Sequence, residues 1–164
     1  MDPGKNVGIK LFENRIVEKG VFDINLLYKN IRGWFIDNKY TIIERENTTK
    51  HKSRGIEILL KFTGEKKVTN FYLYEVRIDF LILGIKKVKY KNKMLDHGIL
   101  EVRELVTLKM DYLKKWSKTN ASRFLRFIYL NFIVNHIYRY HKQTLINEAN
   151  KLFDVMKDSM ELYT

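Results

Sequence analysis

Cysteine is absent from this 164-residue chain, proline occurs once, at position 3, and glycine eight times. Without thiols there is no disulfide framework, no Cys-type zinc site and no thiol nucleophile, so stability has to come from packing. No run reaches the roughly 18 uninterrupted apolar residues of a membrane-spanning helix. The longest candidate, 124–134, is interrupted by Arg126 and Asn131. Residues 1–5 lead into no apolar segment of the signal-peptide type, so a cytoplasmic protein is expected. Phosphate-cradling loops are missing too, since no Gly-x-Gly pair or Walker pattern occurs. His136 and His141 lie five apart, about 140° around a helix, whereas zinc-binding helices place histidines at i, i+4. The expectation is a protein that is not an enzyme, with no cofactor, no metal and no small-molecule substrate.

What the chain does have is positive charge. Lys and Arg number 31 against 19 Asp and Glu, a formal net charge of +12, and 45% of residues are hydrophobic. That length and apolar content suit one domain with a substantial core. The charge favours encounter with polyanions but does not select among them. Its layout is uneven: residues 112–145 hold Lys114, Lys115, Lys118, Arg123, Arg126, Arg139 and Lys142 with no Asp or Glu, and six Phe or Tyr crowd 124–140.

Along the chain, residues 1–20 show only a brief alternation of Val7, Ile9 and Leu11 and read as an arm or short strand. Residues 21–164 read as a single α+β domain. Asp23 can cap a helix to about Asn38, because Ile24, Leu27, Tyr28, Ile31, Trp34 and Phe35 recur on one stripe. Period two then takes over. Ile56, Ile58, Leu60 and Phe62 share one strand face; Tyr72, Tyr74, Val76, Ile78, Phe80 and Ile82 share another; Val88 and Tyr90 continue it past Gly84. Leu100, Val102, Val106, Leu108, Met110 and Tyr112 line the last strand. Short polar links between these runs predict a four- or five-stranded antiparallel meander. A helix should start near Ser122. From 124 to 140 its apolar positions go nearly all round, so it needs cover on several sides, and Phe132 is expected to pack on the Tyr72, Val76 and Ile78 face. Leu145, Ala149, Leu152, Phe153, Met156 and Met160 form a narrow stripe on a final amphipathic helix. The predicted fold is an N-terminal helix, the meander, then two C-terminal helices packed on one sheet face.

Several side-chain groups invite a chemical interpretation. Glu75 and Asp79 fall on one strand face about 13 Å apart with Arg77 between them, wider than the usual glycosidase carboxylate spacing. Cross-strand pairing with Glu101, Arg103 and Lys109 on a solvated sheet face is the better account. Lys87, Lys89, Lys91 and Lys93 make a ladder that can either touch phosphates or protect an exposed strand edge. Lys50, His51, Lys52 and Arg54 form a similar basic cluster.

Trp34-Phe35 before Tyr40, with Asp111-Tyr112-Leu113-Lys114-Lys115-Trp116 and Phe124-Leu125-Arg126, resembles small lysine-rich proteins of DPANN-type archaea over about a quarter of the chain. The resemblance implies an archaeal or archaeal-virus origin and a single α+β unit, and carries no activity, ligand or catalytic residue with it. Two functional expectations follow from the residues themselves. The first is docking on RNA or a ribonucleoprotein, with Lys87, Lys89, Lys91, Lys114, Lys115, Arg123 and Arg126 as phosphate contacts. The second is self-assembly as a homo-oligomeric cage, filament or shell subunit, with the apolar helix and a long strand edge as interfaces. A membrane-surface anchor is disfavoured, because the apolar side chains of 124–140 are not confined to one side.

Overall fold

Alternation with period two builds most of the molecule. The computed structural model describes residues 7–52, 55–90, 93–113, 119–129 and 134–161. Its elements are β1 (Val7–Phe22), α1 (Ile24–Asp37), β2 (Thr41–Lys52), β3 (Gly55–Lys67), β4 (Tyr72–Tyr90), β5 (Lys93–Met110), α2 (Asn120–Ile128) and α3 (Val134–Glu161). The strands form one antiparallel sheet in the order β1-β5-β4-β3-β2. Strands β2 to β5 are hairpin-linked neighbours. β1 pairs instead with β5, so the β1-α1-β2 connection carries the chain from one edge of the sheet to the other.

One face of the sheet is the core. Tyr72, Tyr74, Val76, Ile78, Phe80 and Ile82 of β4 alternate inward beside Leu100, Val102, Val106, Leu108 and Met110 of β5. Helix α1 rests on this face through Leu27, Ile31 and Phe35, with Asp23 Oδ1 accepting the Leu26 N–H at 3.0 Å as its cap. Helix α3 lies alongside it, burying Leu145, Ala149, Leu152, Met156 and Met160 at spacings of three and four. Asn30 of α1 donates to Ser159 of α3 at 2.9 Å. The aromatic centre is close-packed: Phe35, Phe62 and Tyr28 meet edge to face, and Phe62 stacks on Phe80. Gly64 is required there. A Cβ on it would fall 2.3 Å from the Phe35 ring.

Several expectations need correction. A helix does not open the described chain; the helix capped by Asp23 follows a 16-residue strand. That strand is hard to see because its core face carries Asn14 and Glu18 among Phe12, Ile16 and Phe22, and a bulge between Lys10 and Phe12 switches its parity. The two C-terminal helices do not both cover the sheet. α3 does, whereas α2 turns Phe124, Leu125 and Phe127 to solvent, each more than half exposed. Among the described residues α2 runs over Asn120–Ile128, and α3 runs unbroken from Val134 through His141 and Thr144. Phe132 lies outside the described residues. Among those residues, no helix covers the second sheet face and no helix is long and apolar enough to cross a membrane.

Candidate functional site

The β4-β5 hairpin outruns its neighbours. β3 begins at Gly55, where it abuts Gly84, and the last residue of β1 to pair is Phe22, opposite Asp96. Past the row Phe22-Asp96-Lys87, only β4 and β5 remain joined, through Val88-Leu95, Lys89-Met94 and Tyr90-Lys93. The result is a short two-stranded ribbon at one end of the sheet. Lys89 and Lys93 are exposed on it, and Lys86 and Lys87 are exposed at its base. Strand parity puts Lys87 and Lys89 on the helix side and Lys86 on the other, so both faces are basic. Gly84, at φ 64°, and the register shift between Leu83 and Lys86 set this phase. Lys87 is engaged: its Nζ lies 2.7 Å from Asp96 Oδ1, a carboxylate almost wholly buried at the ribbon base. Lys50, exposed at the end of β2, adds charge at the same end of the sheet.

The remaining predicted contacts do not join this group. Arg123 is exposed on α2, whose C-terminal neighbour Tyr129 packs edge to face on Phe71 at the β3-β4 turn. Tyr72 and Lys89 are 17 positions apart on β4, about 55 Å at ~3.3 Å per residue, so the two basic regions occupy opposite ends of the molecule. Lys91, Lys114 and Lys115 lie outside the described residues, and Arg126 is described for its helical backbone alone. Of the seven residues expected to touch phosphate, Lys87 and Lys89 are brought together.

Two polar groups beneath α3 escaped the sequence reading. Tyr40 O–H donates to Glu148 Oε2 at 2.6 Å, Lys66 Nζ donates to Glu148 Oε1 at 2.7 Å, and the Lys66 ammonium sits over the Tyr40 and Tyr74 rings. Tyr74 Oη lies 2.9 Å from His141 Nδ1. Burial pushes the Tyr40 and Tyr74 hydroxyls up and holds the His141 ring below the ordinary imidazole range. These contacts fasten α3 to the sheet. The second group is Glu104, in phase with Val102 and Val106 and wholly buried. Asn14 Nδ2 donates to its Oε2 at 2.9 Å, Oε1 has no hydrogen-bond partner among the described residues, and burial pushes its carboxyl up to about 7. Its even-numbered place in the β5 alternation was the signal for it.

The open sheet face carries a charge lattice that is cross-strand in part, with Arg103–Glu101 and Arg77–Asp79 pairing along their own strands instead. Lys109 bridges Glu75 and Glu65, Lys61 meets Glu46, and Arg15 and Arg103 hold the two oxygens of Glu101 at 2.7 and 2.5 Å. A shallow cleft of about 220 Å³ there is lined by Lys61, Asp79, Glu101 and Arg103 among leucines. Its charges are engaged with one another or with near neighbours, including Asp79 with Arg77 at 3.3 Å. Among the described residues no three His, Asp or Glu gather as metal ligands. The chain matches no protein-family model and no curated protein.

Proposed function

We propose that this protein docks without catalysis on nucleic acid, RNA or a ribonucleoprotein, and that the β4-β5 ribbon is its contact. One observation carries this: four lysines stand exposed on both faces of a projecting two-stranded ribbon and its base, in a stretch from 80 to 95 with no Asp or Glu. A ribbon basic on both sides can meet phosphates on either wall of a groove or on a folded strand. Lysines supply point charges rather than the planar forks that read base edges, so binding is not sequence-selective. With three contacts, from Lys86, Lys89 and Lys93, the logarithmic salt slope is about −2.1 for single strands, which lowers affinity about 20-fold between 50 and 200 mM salt. Fluorescence anisotropy with mixed-sequence RNA tests this. Lys86→Gln, Lys89→Gln and Lys93→Gln combined should flatten the slope and weaken binding at low salt. Absent binding in dilute salt, or a slope unaltered in that variant, removes the proposal.

Self-assembly is the second reading. It is supported by the sheet face that no helix among the described residues covers, where Val17 and Ile99 are exposed beside half-buried Leu59, Leu81 and Leu83. Sedimentation that stays monomeric at high concentration dismisses it.

A further inference from the structure

β1 is an outer strand of the sheet, and among the described residues no strand pairs with its outer edge. Such an edge presents a row of backbone N–H and C=O groups in the geometry of a ladder, and natural proteins guard it with bulges, lysines or short length. Both edges here carry a bulge, between Lys10 and Phe12 in β1 and between Glu44 and Glu46 in β2. Beyond its bulge β2 continues through Asn47, Thr48, Thr49, Lys50 and His51, with no apolar residue among them. β1 differs: past its bulge it pairs regularly with β5 from Phe12 to Phe22, a stretch that includes Phe12, Ile16, Val17 and Val21. Glu13, Arg15, Val17 and Lys19 are exposed on the open face there, and Phe12, Asn14, Ile16, Glu18 and Gly20 are half-buried on the helix side.

The order of these residues indicates what can cover the edge. A second copy of β1, run antiparallel across a twofold axis, must set helix side beside helix side, so the axis falls at a residue and not between two. An axis at Arg15 sets Arg15 against itself, one at Val17 sets Arg15 against Lys19, and one at Glu18 sets Glu18 against itself. An axis at Asn14 meets the bulge just past Phe12. At Ile16 the ladder spans 12–20 clear of the bulge. Glu13 then lies opposite Lys19 twice, Asn14 opposite Glu18 twice, and Ile16 opposite Ile16. Phe12 falls opposite Gly20, whose φ of 146° keeps the position glycine and where a Cβ would have nothing within 4 Å. An aromatic ring laid across from an edge glycine fills such a gap.

We infer that two copies of this chain pair through β1, antiparallel about Ile16, joining two five-stranded sheets into one continuous sheet. The twofold closes the assembly as a dimer and sends the two lysine ribbons to opposite ends. This pairing rests on the self-assembly reading for its partner and places the contact at the sheet edge, away from the open face. Sedimentation of the full chain over a range of concentrations reads the dimer constant. Val17→Lys sets an ammonium opposite Arg15 of the second copy on both sides of the axis and should weaken the dimer; Val17→Glu sets a carboxylate there and should tighten it, each by about 2- to 30-fold from two cross-strand pairs. Glu101, opposite Val17 on β5, biases the stability of the single chain the other way, so the two effects are told apart. Glu13→Lys should weaken the dimer as well, and Lys19→Glu added to it should restore it. Because the chain lacks cysteine, a single introduced thiol reports the register. Under copper phenanthroline, Ile16→Cys should form a disulfide-linked dimer, since opposed residues lie about 4.5–5.5 Å apart at Cα. Glu18→Cys should not, its copy being displaced about 13 Å along the strand. A chain that stays monomeric at every concentration overturns the edge pairing and the self-assembly reading together. Self-association that Val17→Lys and Val17→Glu leave unaltered, with Ile99→Cys cross-linking in place of Ile16→Cys, overturns the edge pairing alone and leaves assembly through the open face standing.

Discussion

Replacing Glu104 by Gln should make the protein more stable at pH 8 and leave it nearly unchanged at pH 5. The side chain is wholly buried on β5, opposite Ile78 of β4 and Asn14 of β1, with a single donor in reach among the described residues. Desolvation outweighs that one hydrogen bond and moves the carboxyl from an ordinary 4.5 to about 7. In the unfolded chain the group ionises above about pH 4.5; in the folded protein it keeps its proton to about 7. The stability it contributes is therefore complete below 4.5, declines as pH rises through that interval, and is gone above 7. The difference amounts to about 3 kcal/mol. Glutamine keeps the acceptor for Asn14 and cannot ionise, so the variant should escape this loss. For a chain of this length, that is about 6–12 °C in melting temperature at pH 8. Urea unfolding followed by circular dichroism across pH 5–8, for parent and variant side by side, is the assay, and their difference cancels titrations common to both. Parallel profiles across that range would refute the assigned environment, because Glu104 would then ionise as freely folded as unfolded.

Other outcomes can be stated as directly. Gly64→Ala should cost about 1–3 kcal/mol, because its Cβ meets the buried Phe35 ring and the surrounding aromatics block retreat. Gly33→Ala, mid-helix with open space around it, should instead add about 0.5–1 kcal/mol; chemical denaturation of both variants checks the opposite signs. His141, held below the ordinary imidazole range by burial, contributes stability present above about pH 6.5 and lost as pH falls further. Its ring resonances followed by NMR should still report the neutral form somewhat below pH 6.5, and a cationic ring at pH 7 would contradict this. Lys89→Ala should leave the melting temperature unchanged and reduce the RNA salt slope by about 0.7–0.9, read by anisotropy at several salt concentrations.

Periodicity within single segments determined a good part of the architecture. The α1 stripe of Leu27, Ile31 and Phe35, the α3 stripe from Leu145 to Met160, and the β4 face from Tyr72 to Ile82 all turn inward at the positions their spacing specified. A helix or strand exposes its apolar pattern in its own order of residues, so these faces needed no knowledge of a neighbour. The lysine content of 86–93 was equally visible. The tertiary structure decided what each face meets. β1 lies beside β5 across a separation of some 90 residues, a pairing that no local pattern encodes, and its bulge hides its alternation. Lys87 is tied to Asp96, whereas Lys89 faces Met94, because register sets partners across a hairpin. Glu104 sits in the core because strand parity placed it there, and a neutral carboxyl tolerates the site where an ionised one would not. Helix α2 shows the limit most plainly. Its apolar side reads the same in sequence whether buried or bare, because periodicity defines a face and only packing, a property of the whole chain, decides whether anything covers it.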